Sequence, residues 1–170
     1  IDSLIQEIHM VGKMHSGKKK VTSLYFGGGS PALSVDRVQE IIDTIKTYFD
    51  ITEGIGIELH PSDLELSKLR KLKAAGITKI SIGIQSFNEN YQNLLGRFAV
   101  DSKEIKTILE EVKFETVSMD FIFALPNQTF EDLYNERTIL YEKYADITIE
   151  ECNLNVEETL KVLMKSLTEE

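Results

Sequence analysis

Cysteine is nearly absent, with Cys152 the one thiol in 170 residues. A disulfide needs two thiols, a four-thiolate zinc site four, and an iron–sulfur cluster three or four, so this chain alone can build none of them. No histidine lies near Cys152 in sequence, which leaves it reading as an ordinary thiol rather than an activated nucleophile. Thiol scarcity also fits a reducing, cytoplasmic compartment. Positive charge is short as well: 19 Lys and Arg face 28 Asp and Glu, for a net charge of −9. That balance argues against nucleic acid and against an anionic membrane surface, since both reward a basic face. No apolar run approaches the ~20 residues of a membrane-spanning helix, and no signal-peptide pattern opens the chain. There is no low-complexity tract, no linker and no repeat beyond a strand–helix unit.

What remains is an ordinary globular composition, 42% hydrophobic and 28% charged, long enough for one domain with a sizeable core. Ile1, Leu4, Ile5, Ile8 and Val11 share one face at helical spacing. A basic loop, HSGKKK, follows. Then strands and helices alternate. VTSLYF reads as a strand, and a helix capped by Ser34 carries Val38, Ile41, Ile42, Ile45 and Phe49. GIGIELHP is a strand closed by Pro61, followed by a helix that stops at Gly76. ITKISIGIQSF is a third strand, with helical pieces at about 89–95 and 102–112. TVSMDFIFALP is a fourth, followed by a helix over about 130–144, a short strand DITI and a last helix from about Val156. Such alternation means parallel strands joined by right-handed crossovers.

The strands do not read as continuous hydrophobic runs. Ile55, Ile57 and Leu59 alternate with Gly56, Glu58 and His60; Ile80, Ile82 and Ile84 alternate with Ser81, Gly83 and Gln85. In the fourth strand Val117, Met119 and Phe121 alternate with Ser118, Asp120 and Ile122. One greasy face for helices and one small or polar face favour a barrel whose lumen holds a ligand. Glu58, Gln85 and Asp120 all fall on the inward face near the C-terminal strand ends, where parallel α/β folds carry their sites. Buried there, carboxylates need a partner or a ligand. Pairing with a core arginine such as Arg97 is the structural alternative.

The segment LYFGGGSPALS belongs on the same rim. Gly27, Gly28 and Gly29 let backbone approach a ligand closely, Ser30 adds a hydroxyl, and Pro31 fixes the exit toward a helix. The run is not a P-loop, which ends in Gly-Lys-Ser/Thr, nor the G-x-G-x-x-G dinucleotide fingerprint.

In the order LYFGGGSPALS, IELHP, IGIQSF, LLGR and MDFIFALPNQT, the chain resembles the radical S-adenosylmethionine (SAM) proteins of the oxygen-independent coproporphyrinogen III oxidase type, a group that includes haem chaperones. The similarity runs in register from Ile1 to about Leu133. The resemblance implies a partial (β/α)6 TIM-like barrel, here missing its first strand, with residues 1–170 as a single core domain. It implies SAM across the strand ends. Gly27, Gly28, Gly29 and Ser30 would hold its amino group and methionyl part, Glu58, Gln85, Arg97 and Asp120 its other polar groups, and Ile122 would pack near the adenosyl group. It further implies a [4Fe–4S] cluster in the parent protein, an electron donor such as flavodoxin or ferredoxin, and a tetrapyrrole substrate. In that family SAM is cleaved reductively to a 5′-deoxyadenosyl radical.

This chain departs from the family in three places. It has no C-x-x-x-C-x-x-C loop, and it opens on a helix where a strand should stand. The missing strand and cluster loop are therefore expected upstream, in a longer parent protein; the alternative is a relative that has lost its cluster. After LLGR stand Phe98 and Ala99 where the family carries a polar, histidine-containing segment. Past Tyr144 the family's tyrosine-containing last strand is not evident. No catalytic acid, base or metal ligand is assigned within the chain. Beside the enzyme reading stand a haem-binding chaperone on the same scaffold, for which His9, His15 and His60 are the available imidazoles, and a non-catalytic module for a nucleotide-like ligand.

Overall fold

A computed structural model describes residues 1–97, 101–144 and 155–168. The chain divides into two compact units, Ile1–Ile122 and Phe123–Glu170. In the first, helix α1 (Asp2–Lys13) precedes β1 (Lys19–Val21) and β2 (Leu24–Phe26). A 3-10 turn (Pro31–Ser34) leads into α2 (Val35–Tyr48), then β3 (Phe49–Ile51) and β4 (Ile55–Leu59). A second 3-10 turn (Pro61–Asp63) precedes α3 (Leu66–Ala74) and β5 (Lys79–Gln85). Helices α4 (Glu89–Leu94) and α5 (Ser102–Glu111) then lead to β6 (Thr116–Phe121). Every strand pairing among the described residues is parallel: four strands form one sheet in the order β2-β4-β5-β6, and β1 lies beside β3.

The greasy faces fold as the alternation requires. Ile57, Ile80, Ile82 and Ile84 are almost wholly buried, and helices α2 and α3 bring Val38, Ile42, Leu69 and Leu72 into the same core. On β6, Met119 and Phe121 pack against that core, while Val117 stays 39% exposed. Helix α3 ends at Gly76, which takes a φ of +94 as a C-terminal stop predicts.

Three local expectations change. VTSLYF is not one strand, because its parallel partner is interrupted at the same level. Gly54 has a φ of +115, and the Val21 and Thr22 carbonyls are taken by the N–H groups of Thr52 and Glu53. Pairing resumes with Leu24 beside Ile55. Ser34 stands at the N-cap of α2 as expected but makes no side-chain capping bond, because the chain enters through the 3-10 turn that Pro31 opens. Phe49 leaves the helix in extended conformation and begins β3.

The turn after β4 is tied down twice. His60 Nδ1 takes the Ser62 N–H at 3.2 Å, and the His60 N–H donates to Asp63 Oδ2 at 3.3 Å. Asp63 is buried and meets Lys68 Nζ at 3.3 Å. Hydrogen bonding to Glu65, then to Asp63, raises the Lys68 pKa. A raised lysine stabilises the fold below its ordinary range and loses that contribution only as the solution becomes strongly alkaline. The turn is thus held throughout neutral pH.

The second unit contains α6 (Phe130–Tyr144) and α7 (Val156–Thr168). Thr129 and Asp132 cap α6 reciprocally, and Asn155 and Glu158 do the same for α7. The expected strand through Pro126 ends at Phe121, and Ala124 and Asn127 take left-handed φ values of 60 and 64. The DITI segment and Cys152 lie outside the described residues. No helix among the described residues is long and apolar enough to cross a membrane.

Candidate functional site

The C-terminal ends of the four paired strands share one cleft of about 270 Å³. Its lining is Gly28, Gly29, Glu58, Leu59, His60, Ser81, Gly83, Gln85, Arg97 and Asp120. Strand register explains the convergence. Glu58 lies beside Ser81 and Ser81 beside Ser118, so residues at even steps from them rise on the same face.

The glycine loop reaches this face through Glu58. Gly28 has a φ of +101, which suits glycine, and donates its N–H to Glu58 Oε2 at 3.2 Å. A Cβ at Gly27 would come within 3.1 Å of Glu58 Oε1. Across the sheet, the Ser81 hydroxyl donates to Asp120 Oδ2 at 2.8 Å, which fixes one oxygen and leaves the other for a ligand. Gln85 sits just past a shift in the pairing of β5 with β6, at a φ of 71, and its carbonyl accepts the Ile122 N–H at 2.9 Å. A left-handed non-glycine residue at a strand end is the kind of strain that collects at sites.

Arg97 arrives from the turn after α4. Its N–H bonds to the Gln92 carbonyl at 2.9 Å, and Gln92, almost fully buried, donates Nε2 to the Ser86 carbonyl at 2.8 Å. One guanidinium nitrogen, Nη1, donates to the Gly83 carbonyl at 3.0 Å. Among the described residues neither Glu58 nor Asp120 pairs with Arg97, so the internal ion pair offered as the structural alternative does not form. The expectation of buried carboxylates needs correcting too. Glu58 and Asp120 are both exposed, because the inner face of these strands is open to solvent.

Gly83 shapes the floor. A Cβ there would lie 2.9 Å from Gln85 Nε2 and 3.9 Å from Arg97 Nη1, so the missing side chain leaves a cradle between those groups. The cleft therefore offers two carboxylates to accept from an ammonium or hydroxyls, and a guanidinium to bind a carboxylate. An amide that can do either completes the set.

Of the residues singled out in sequence, Gly28, Gly29, Glu58, Gln85, Arg97 and Asp120 line the cleft together. Gly27 stands beside Glu58, where a side chain would crowd the carboxylate, but does not line the cleft; Ser30 is half-buried at the head of the first 3-10 turn, and Ile122 lies past the end of β6, 41% exposed. Ser81 and Gly83 were not singled out, although alternation had put both on the inward face. His60, placed on the inward face by its offset of two from Glu58, also lines the cleft.

The Radical SAM superfamily model matches residues 3–138. The heme chaperone HemW of Bacillus subtilis is 33% identical over 142 residues, covering 78% of this chain and 36% of that protein. The oxygen-independent coproporphyrinogen III oxidase of Pseudomonas aeruginosa is 29% identical over 134 residues, 74% of this chain and 29% of that one. Among solved structures, the Escherichia coli coproporphyrinogen III oxidase HemN, described as a radical SAM enzyme, superposes with a TM-score of 0.71 at 25% identity, covering 98% of this chain and 43% of that one. The chain thus spans about a third of the length of the curated relatives it matches.

Proposed function

The chain belongs to the radical SAM superfamily, and from that premise we propose that its cleft binds SAM, as the core of a protein in the coproporphyrinogen oxidase and haem chaperone group. The observation that carries the reading is the convergence of Glu58, Gln85, Arg97 and Asp120 on one cleft, with the charges of Glu58, Arg97 and Asp120 left unpaired by one another. The Gly83 cradle supports the reading, since the missing side chain leaves room between Gln85 and Arg97. Gly27 to Gly29 and Ser30 would take the methionyl end through backbone atoms and a hydroxyl. Glu58, Gln85, Arg97 and Asp120 would take the carboxylate and ribose, the two carboxylates also meeting the ammonium that the resemblance gives to the glycine backbone, and Ile122 would flank the adenosyl group. When bound and reduced, SAM supplies a 5′-deoxyadenosyl radical; the residues here bind and orient it.

An iron–sulfur cluster does not fit this chain. One thiol cannot supply three ligands, and no group of three or more metal-ligating side chains occurs among the described residues. Cluster ligands, the tetrapyrrole substrate and the electron donor accordingly belong to the proposal for a whole, longer protein. The 170 residues alone are expected to bind SAM weakly and to form no 5′-deoxyadenosine from it. Tight binding by titration calorimetry would overturn the first expectation, and product under reducing conditions the second.

Asp120→Ala is expected to weaken SAM binding about tenfold, the scale of one hydrogen bond to a charged group. Because the carboxylate is exposed, the melting temperature should stay within a few degrees. A large loss of stability would instead make Asp120 a structural partner of Ser81. The identity with HemW favours a second reading, a haem carrier on the same scaffold. A haem titration followed at the Soret band separates the two: saturable haem binding with no SAM-induced change at the cleft would favour the carrier.

A further inference from the structure

His60 has a hydrogen-bonding pattern that a turn residue alone does not need. The Ser62 N–H can only donate, so Nδ1 must accept it, and the Ser62 hydroxyl sits 2.7 Å from the same nitrogen. A neutral ring then carries its proton on Nε2. Nε2 makes no hydrogen bond to any described residue. His60, only half-buried, lines the cleft and also a second cavity of about 280 Å³, whose wall holds Leu64 and Ile105 together with the carboxylates of Glu65, Asp101 and Glu104. Arg97 is the other residue common to both cavities. Nη1 is already committed to the Gly83 carbonyl, which leaves most of the guanidinium's five N–H donors free.

We propose that His60 is a ligand-binding residue: its Nε2–H and the Arg97 guanidinium form a two-point donor clamp for the carboxylate of the bound ligand. The inference rests on the SAM reading of the cleft. The chemistry is complementary across the site. Glu58 and Asp120 accept, and so suit an ammonium and hydroxyls; His60 and Arg97 donate, and so suit the carboxylate. A neutral donor beside a cationic one orients the carboxylate without adding a second full charge. The Ser62 contact matters because it fixes the tautomer: were Nδ1 to carry the proton, Nε2 would be an acceptor and would repel the same group.

Two substitutions divide the ring's two jobs. His60→Asn places an oxygen where Nδ1 stands, keeping the turn's acceptor while deleting the distal donor. His60→Gln places an amide N–H where Nε2 stands, keeping the donor while losing the turn's acceptor. The experiment is a SAM titration of 15N-labelled chain, with long-range 1H–15N spectra of the histidines and melting curves for each variant. The expected result is an Nε2–H tautomer for His60 that shifts with SAM. His60→Asn should lose about tenfold in affinity with its melting temperature kept, and His60→Gln should recover affinity relative to His60→Asn while melting lower. Native affinity in His60→Asn would show that His60 only caps the turn and would overturn the proposal. Shifts at the Gly28, Gly29 and Gly83 amides without one at His60 Nε2 would overturn it alone. No SAM-induced shift at those amides would overturn the SAM reading itself, and this clamp with it.

Discussion

Gly83→Val should cut affinity for SAM more than tenfold and leave the fold as stable as before. The position is extended strand rather than left-handed turn, so a β-branched residue meets no backbone penalty there and has favourable strand propensity. Nothing in the core resists it either, because the added atoms enter the open inner face and not the isoleucine layer formed by its neighbours Ile82 and Ile84. Its first carbon would meet the end of the Gln85 side chain at 2.9 Å, and that side chain can swing away. The space it swings from is the ligand's. The γ-methyl groups would then fill the cradle between Gln85 and Arg97. A tenfold loss corresponds to about 1.4 kcal/mol, less than a steric block of this kind should impose. The check is a SAM titration followed by NMR alongside a urea melt. Unchanged affinity would move the ligand off the floor of the cleft.

Much of this site could be read from strand alternation, because the side-chain period of two leaves each residue no choice of face once its neighbours are buried. Glu58, Gln85 and Asp120 were placed together by that rule alone, and His60, Ser81 and Gly83 follow from the same count. What alternation could not supply was pairing across distance. The Ser81–Asp120 bond joins residues 39 apart in sequence, and the Arg97–Gly83 bond residues 14 apart. Each depends on register and on a turn, neither of which a local pattern encodes. The split of VTSLYF has a similar origin, since the cause lies in the partner segment at Gly54 rather than in VTSLYF itself. Exposure differs for another reason. Only an inner face closed against water would bury Glu58 and Asp120, and burial is a property of what surrounds a strand, not of its sequence. The roles given to Gly27 through Ser30 and to Ile122 came from resemblance, and the cleft geometry bears directly on Gly28 and Gly29 among them.

The alternation can itself be put to a direct test by two neighbouring residues, Ile57 and Glu58, with opposite expected outcomes. Ile57 is fully buried on the central strand β4, between β2 and β5, with its side chain in the core that α2 and α3 cover. Ile57→Ala removes buried methyl groups and leaves a cavity, which costs about 2–5 kcal/mol in well-packed cores. Against the ~5–15 kcal/mol of a typical domain, that is a large share of the whole. The urea midpoint should fall markedly at an unchanged slope. Glu58 is exposed, and its one bond to the described residues is from the Gly28 N–H at 3.2 Å, on a loop that water can also satisfy. Glu58→Ala should therefore move the midpoint little and weaken SAM binding instead. If both variants lost stability alike, the inner face of β4 would be packed rather than open, and the cleft would be an interior. If neither did, the outer face would not be core. The expected split, stability from one residue and binding from the next, is what a strand shows when one face is spent on folding and the other is left for a ligand.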